Sequence, residues 1–299
     1  MYSDGRAERV IESAKRLAQT GRAADAAALL QTLVNDLARS TANRELRRVA
    51  FEMLINLLQA MGRDARLSKV FQQYSGEYAR TRDLDFDRLY VTGLLTTHTS
   101  ALPLRRRDRF HWLIQELDKT LPLEGDVAEC GCYRGLSSFL ICSRLKQHCA
   151  AFDGRGYQIY DSFQGLSAPQ AVDTGPAPEG AQSPHPNDVQ QGRFTASLAE
   201  VKQALSSFPG VEYFPGWIPA AFPETAERRY RFVHVDVDLY QPTRESFEYF
   251  WPRLAPDAVM VCDDYNWTGA RRAVEEFCSA RGALFRATPF NQAVIYRSR

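Results

Sequence analysis

Neither sign of charge dominates this 299-residue chain: 37 Lys and Arg stand against 36 Asp and Glu, a formal net charge of +1. That balance argues against a general binder of nucleic acid or of anionic membranes, both of which need a basic surface. No apolar run approaches the ~20 residues a membrane-spanning helix needs. The opening Met1-Tyr-Ser-Asp-Gly-Arg has no apolar signal core behind it, so cytoplasmic residence is the expectation. The six cysteines (130, 132, 142, 149, 262 and 278) sit mostly in apolar contexts and form no disulfide-dense layout. Cys130 and Cys132, on either side of Gly131, read as small buried residues. Histidine and cysteine nowhere take the spacing of a zinc site. What remains, with 44% hydrophobic and 24% charged residues, is an ordinary globular composition for one large or two modest domains.

Acidic residues, by contrast, are concentrated. Arg231-Phe-Val-His-Val-Asp-Val-Asp-Leu-Tyr240 and Ala258-Val-Met-Val-Cys-Asp-Asp-Tyr265 each carry an apolar strand straight into two aspartates. Thr243 to Leu254 between them reads as an amphipathic crossover helix. The two strands are therefore expected to run parallel and to end on one edge of a sheet, where ligands of open α/β sheets bind. Four carboxylates there repel one another unless a cation or protons neutralise them. A hard divalent ion with oxygen ligands answers that need. Simple helix capping accounts for one Asp per turn, less well for two on both turns. Asp236 and Asp238, two residues apart, are expected to share a strand face.

Residues 1 to about 80 carry helical periodicity and almost no strand signal, with apolar faces such as Val10, Ala14, Leu17, Ala18 and Ala26, Leu29, Leu30, Leu33, Leu37. Leu17-Ala-Gln-Thr-Gly-Arg-Ala-Ala-Asp-Ala is weakly echoed by Leu58-Gln-Ala-Met-Gly-Arg-Asp-Ala-Arg-Leu. Each has a helix, a Gly-Arg turn and a second helix, as in tetratricopeptide-like hairpins; a plain helical bundle fits as well. The expected division is thus 1–80, helical, and 81–299, α/β. The helical region is expected to assemble subunits into a homo-oligomer or dock a partner, because its apolar faces exceed what two hairpins bury in each other. A helix is expected at about 106–120, and from Asp126 strands and helices alternate, as in a predominantly parallel, doubly wound sheet. Strands are expected at 126–129, 157–160 and 211–214, helices at 137–147, 194–207 and 268–280, and a closing hairpin from 284–287 and 293–297. Ser167 to Arg193, rich in Pro, Gly and Ala, reads as an irregular lid.

Glu129-Cys-Gly-Cys-Tyr-Arg-Gly135 joins the first strand to its helix. Gly131 and Gly135 permit close approach of backbone to a ligand, and the helix N-terminus offers free N–H groups. The third glycine of a pyrophosphate-binding G-x-G-x-x-G is missing. Asp161 ends the second strand, where a carboxylate accepts ribose hydroxyls. Glu129 with Asp161 suits a ligand having an amino-acid-like cation and a ribose, and S-adenosylmethionine has both.

Together, Glu129–Gly135, Tyr160-Asp-Ser-Phe-Gln-Gly-Leu166, His234-Val-Asp-Val-Asp-Leu-Tyr240, Asp263-Asp-Tyr265 and Gly269-Ala-Arg-Arg-Ala-Val-Glu-Glu-Phe277 resemble the macrocin O-methyltransferase family of bacterial metal- and S-adenosylmethionine-dependent enzymes. The resemblance covers roughly residues 90–299. It implies a Rossmann-like class I methyltransferase sheet with an antiparallel last strand, S-adenosylmethionine and magnesium as cofactors, and a hydroxyl of a sugar, sugar-containing natural product or glycan as acceptor. By position it implies Asp236, Asp263 and Asp264 as metal ligands and Asp238 as general base. The cofactor contacts it implies are Glu129, Gly131, Asp161 and Ser162, to which Gly135, Ser138 and Asp236 are added as candidates.

The chemistry agrees with that set. A sugar hydroxyl ionises poorly at neutral pH, a divalent cation lowers the pKa of an oxygen bound to it, and a nearby carboxylate can take the proton. His98 and His234 are alternative bases. His98 precedes the α/β core in a segment able to reach a site, whereas His234 reads as a packed core residue. Asp238 is also an alternative third ligand. Trp217 suits ring stacking or core packing. A catechol-type O-methyltransferase and a non-catalytic adaptor on the same scaffold are the competing functions, and the intact set of four acids speaks against the adaptor.

Overall fold

The computed structural model describes residues 4–37, 43–100, 104–177, 188–223 and 227–297. The chain divides into two compact units, Met1–Asp108 and Arg109–Arg299.

In the first unit, α1 (Asp4–Gln19), α2 (Ala23–Asp36), α3 (Arg44–Ala60), α4 (Asp64–Tyr78) and α5 (Leu84–Thr96) follow one another, each packed on the next. The Gly-Arg echo has a backbone counterpart. Gly21 and Gly62 both take left-handed φ, +78° and +62°, which glycine adopts without the Cβ penalty. Arg22 N–H then donates to Leu17 O at 2.8 Å and Arg63 N–H to Leu58 O at 3.0 Å, the reach-back that closes a Schellman-type helix end. Ala26, Leu30, Leu33, Phe51, Leu54, Leu58, Phe71 and Tyr90 are buried. The ring of Phe71 on α4 lies 5.6 Å from that of Tyr90 on α5, so α5 takes apolar surface that two hairpins alone would leave open. Beneath it is a buried ionic cluster. Arg107 donates to Asp87 at 2.8 Å and to Asp108 at 2.9 Å, and the Ser75 hydroxyl donates to the other Asp87 oxygen.

The second unit holds one seven-stranded sheet in the order β3-β2-β1-β4-β5-β7-β6. The strands are β1 (Asp126–Cys130), β2 (Tyr157–Asp161), β3 (Glu212–Pro215), β4 (Tyr230–Val235), β5 (Leu254–Cys262), β6 (Leu284–Ala287) and β7 (Ala293–Tyr296). β1 to β5 pair in parallel and β7 runs antiparallel between β5 and β6, the Rossmann-like class I methyltransferase sheet that the resemblance implies. Its order reverses between β1 and β4, so the carboxyl ends of those strands form the crevice where a doubly wound sheet binds its ligand. Around it lie α6 (Leu104–Thr120), α7 (Leu136–His148), α8 (Ala171–Thr174), α9 (Leu198–Ala204), α10 (Tyr240–Phe250) and α11 (Thr268–Arg281). Strands β1, β2, β4 and β7 and the second half of β5 are buried nearly throughout, with Val127, Ile159, Phe232, Val233 and Val261 in the core, whereas the edge strands β3 and β6 are not.

Three elements differ from expectation. The crossover helix covers Tyr240–Phe250, not Thr243–Leu254, and a 3-10 turn, Trp251–Arg253, leads into β5. Pro242 is tolerated in the first turn because its missing N–H has no partner there, whereas Pro252 cannot continue the helix. Helix α9 begins only at Leu198, because Ser197 caps it by accepting from Glu200 N–H at 3.2 Å while Glu200 accepts from Ser197 N–H at 2.8 Å. The irregular 167–193 stretch contains the short α8, and its centre, 178–187, lies outside the described residues. Its ends are tied together: Leu166 N–H donates to Arg193 O and Gly192 N–H to Leu166 O, both at 2.9 Å.

Candidate active site

The β1–α7 turn and the β4–α10 turn touch at Gly131. A Cβ there would fall 1.9 Å from the backbone oxygen of Asp236, which explains a glycine at this position without a ligand. Gly131 N–H donates to Tyr160 O, Asp236 N–H to Cys130 O and Asp263 N–H to Val235 O, so the ends of β1, β2, β4 and β5 are stitched in register. Tyr133 is at φ +48° and Gly135, the residue before α7, at φ +84°. Asp161 at the end of β2 shapes this turn: one carboxylate oxygen accepts from Cys132 N–H at 2.7 Å and Tyr133 N–H at 3.3 Å, the other from Phe163 N–H at 2.7 Å. A carboxylate has about four acceptor positions, so one remains for a ligand hydroxyl. Ser162 closes the next turn, donating to Gly165 O at 2.8 Å and accepting from Gln164 N–H at 3.0 Å.

Glu129 is turned into the core. It is 0% exposed. One of its oxygens accepts from the Ser138 hydroxyl and, at 2.8 Å, from the Tyr157 hydroxyl; the other lies 2.9 Å from His234 Nδ1. His234 Nε2 is in turn 3.5 Å from Asp263 Oδ1. His234 is thus a packed core residue, as its place on the strand suggests, and it lies between Glu129 and the acidic cluster.

The four aspartates converge. One oxygen each from Asp236, Asp238 and Asp264 lie within 4.8 Å of one another, and ligand atoms of His234, Asp236 and Asp263 form a second such group. Asp236 and Asp238 do not share a strand face, because β4 ends at Val235. Asp238 instead adopts φ +58°, Leu239 N–H closes back on Val237 O at 2.6 Å, and Asp238 N–H donates to Asp264 at 3.2 Å. This tight turn, not strand periodicity, brings the two carboxylates together. Asp263 and Asp264 are buried, Asp236 and Asp238 half-buried. Burial, and then the charge of Asp236, push the Asp238 carboxyl up to about 7. Burial, followed by the charges of Asp238 and Asp236, pushes Asp264 well above the ordinary carboxylate range.

Two partners of this cluster carry no sequence signal. Gln292 just before β7, fully buried, donates to Asp263 Oδ1 at 2.6 Å. Arg109 on α6 forms an ion pair with Asp263 Oδ2, and its Nη2 lies 3.7 Å from an oxygen of Asp236 and 3.7 Å from one of Asp264. Nothing in one turn of a polar helix distinguishes Arg109 from Arg105, Arg106 or Arg107. His98, the other candidate base, is exposed just beyond α5 in the first unit, at φ +51°. Trp217 is 42% exposed, its indole N–H donating to Gly165 O at 3.2 Å, so it is not a core residue.

A crevice at the β1/β4 reversal, flanked by a glycine turn and a carboxylate cluster, defines a class I methyltransferase-like site. Residues 27–294 match the family described as Macrocin-O-methyltransferase (TylF), and the chain belongs to that family. It is 27% identical over 185 residues to 8-demethyl-8-(2,3-dimethoxy-alpha-L-rhamnosyl)-tetracenomycin-C 4'-O-methyltransferase of Streptomyces olivaceus, covering 58% of this chain and 65% of that one. Mycinamicin III 3''-O-methyltransferase of Micromonospora griseorubida is also 27% identical, over 186 residues, covering 58% and 67%. The match therefore spans about two thirds of the length of these curated relatives. Among solved structures, the O-methyltransferase NovP superposes with a TM-score of 0.54 at 17% identity, over 81% of this chain and 100% of that one, a likeness of fold.

Proposed function

We propose that this protein transfers a methyl group from S-adenosylmethionine to a hydroxyl of a sugar, a sugar-containing natural product or a glycan, with magnesium at the aspartate cluster. The convergence of Asp236, Asp238, Asp263 and Asp264 beside the β1–α7 turn carries this reading. Family membership supports the reaction class, and both curated relatives are named for O-methylation of a natural product, the first bearing a rhamnosyl group.

The residues fit both groups. Oxygens of Asp236, Asp238 and Asp264 lie close enough together for a hard cation, with Asp263 beside them and its buried Oδ2 paired with Arg109. Asp236, Asp263 and Asp264 would hold magnesium, whose charge makes a neighbouring hydroxyl easier to deprotonate. S-adenosylmethionine would lie along the β1–α7 turn, its ribose against Asp161 and Ser162, with Gly131 and Gly135 giving the backbone its close course. Glu129 and Ser138 act from behind, fixing Tyr157 and His234. Asp238, in its left-handed turn at the cluster's open side, is placed to take the acceptor proton. The protein otherwise works by holding the oxygen in line with the S–CH3 bond.

Methyl transfer from labelled S-adenosylmethionine to rhamnose-bearing natural products, with and without chelator, tests this reading. Product that disappears with chelator and returns with magnesium supports it, and chelator-insensitive transfer removes the metal from it. Calorimetry should show S-adenosylmethionine binding weakened by about 1–3 kcal/mol in Asp161→Ala, the range for a lost charge-assisted hydrogen bond. Unchanged affinity takes Asp161 out of the site.

A further inference from the structure

We infer that Arg109 is a displaceable internal counter-ion, its guanidinium standing among the aspartates in the metal-free protein and giving way when a divalent cation binds. The inference rests on the divalent-cation reading above. Nη2 of Arg109 pairs with Asp263 Oδ2 and lies 3.7 Å from Asp236 Oδ1 and 3.7 Å from Asp264 Oδ1. The three residues that would hold the ion are therefore the three that the guanidinium already reaches. Magnesium–oxygen distances are about 2.1 Å, so a cation drawing these oxygens together leaves no room for the guanidinium nitrogen between them. Arginine keeps its proton in proteins, so losing the charge is no way out. It has to move.

Two further observations favour displacement over a permanent pair. The Arg109 side chain is 25% exposed, whereas the Asp263 side chain it meets is fully buried, so the arginine has a path to solvent and its partner has none. Its Nε is buried without a hydrogen-bond partner, so that edge of the guanidinium adds nothing to its hold. The opposite arrangement is present in the same protein: Arg107 is wholly buried, with partners on Nε, Nη1 and Nη2. Without Arg109, buried acids would face one another with their charges uncompensated. The guanidinium offsets that repulsion, and a divalent ion must compete with it. That lowers metal affinity and makes loading responsive to metal concentration.

The test is a manganese titration by calorimetry on wild type, Arg109→Gln and Arg109→Lys, with melting of each in chelator. Arg109→Gln removes the competitor and should bind Mn²⁺ about ten-fold or more tightly than wild type, while melting lower in chelator. Arg109→Lys keeps the charge without the planar fork and should fall between the two, and it stands as the readout if Arg109→Gln does not fold. Equal manganese affinity in wild type and the variants, or weaker binding in them, overturns the displacement. Absence of manganese binding from wild type and variants alike overturns the metal reading itself.

Discussion

Within the cluster, the acids differ less in type than in what holds them. Asp263 is wholly buried and takes a hydrogen bond from Gln292 and an ion pair from Arg109, whereas Asp238 sits half-buried in a left-handed turn with its N–H bonded to Asp264. Asp263→Asn should therefore abolish manganese binding in calorimetry and lower the melting temperature, since it leaves the guanidinium short of its closest anion. Asp238→Asn should leave manganese and S-adenosylmethionine binding intact and reduce turnover by about 10²–10⁴, the usual contribution of a positioned base. Loss of manganese binding in Asp238→Asn would make Asp238 a ligand instead. The acids are legible in the sequence because each doublet directly follows an apolar run. Arg109 and Gln292 are not: Arg109 meets Asp263 from a helix far earlier in the chain, and Gln292 meets it only because the fold returns β7 beside β5. Glu129 shows the limit from the other side. A strand-end acid reads as a ligand contact, and only packing reveals Ser138, Tyr157 and His234 around it.

Among elements, the strand–helix alternation from Asp126 onward was plain in the pattern, because buried parallel strands are short apolar runs and the helices between them are amphipathic. Boundaries depended on chemistry that periodicity does not carry, as where Pro252 stops α10 and the Ser197–Glu200 pair starts α9. The closed neck of the 167–193 loop is another such feature. Gly165, at φ +84°, packs so closely on Arg193 that a Cβ would fall 2.3 Å from its carbonyl oxygen. Gly165→Ala should open the neck, and limited proteolysis should then cut between 167 and 193 faster than in wild type. An unchanged cutting rate would mean that the neck is not what restrains the loop. In the first unit, the Arg107–Asp87–Ser75 cluster is the comparable point. Asp87→Ala strips a buried arginine of one carboxylate and should destabilise by about 3–5 kcal/mol in denaturant unfolding. A double change, Asp87→Leu with Arg107→Met, should recover part of that loss, because it removes the uncompensated charge as well. A double mutant no more stable than Asp87→Ala would locate the loss in packing instead.

At the scale of the whole molecule, two compact units divide the work unequally: the glycine turn, Asp161 and the four aspartates all belong to Arg109–Arg299, while the hairpins of α1 to α4 belong to Met1–Asp108. Among the described residues no helix is long and apolar enough to cross a membrane. The case for subunit assembly through the helices rested on unburied apolar faces, and α5 removes part of it by packing on α4. Light scattering on the full chain decides it, a mass of two or more chains favouring assembly and that of one chain opposing it. The placement of the chemistry makes a sharper claim. Ligands that bind the folded state protect the amides they contact and those whose opening would release them. Adding S-adenosylmethionine with Mn²⁺ should therefore slow hydrogen exchange at 131–135, 161–165, 236–240 and 263–265, the turns at the carboxyl ends of β1, β2, β4 and β5. Amides of α1 to α4 should exchange as before. Protection centred on α1 to α4, with the four turns unchanged, would move the binding site out of the sheet crevice and with it the proposed reaction.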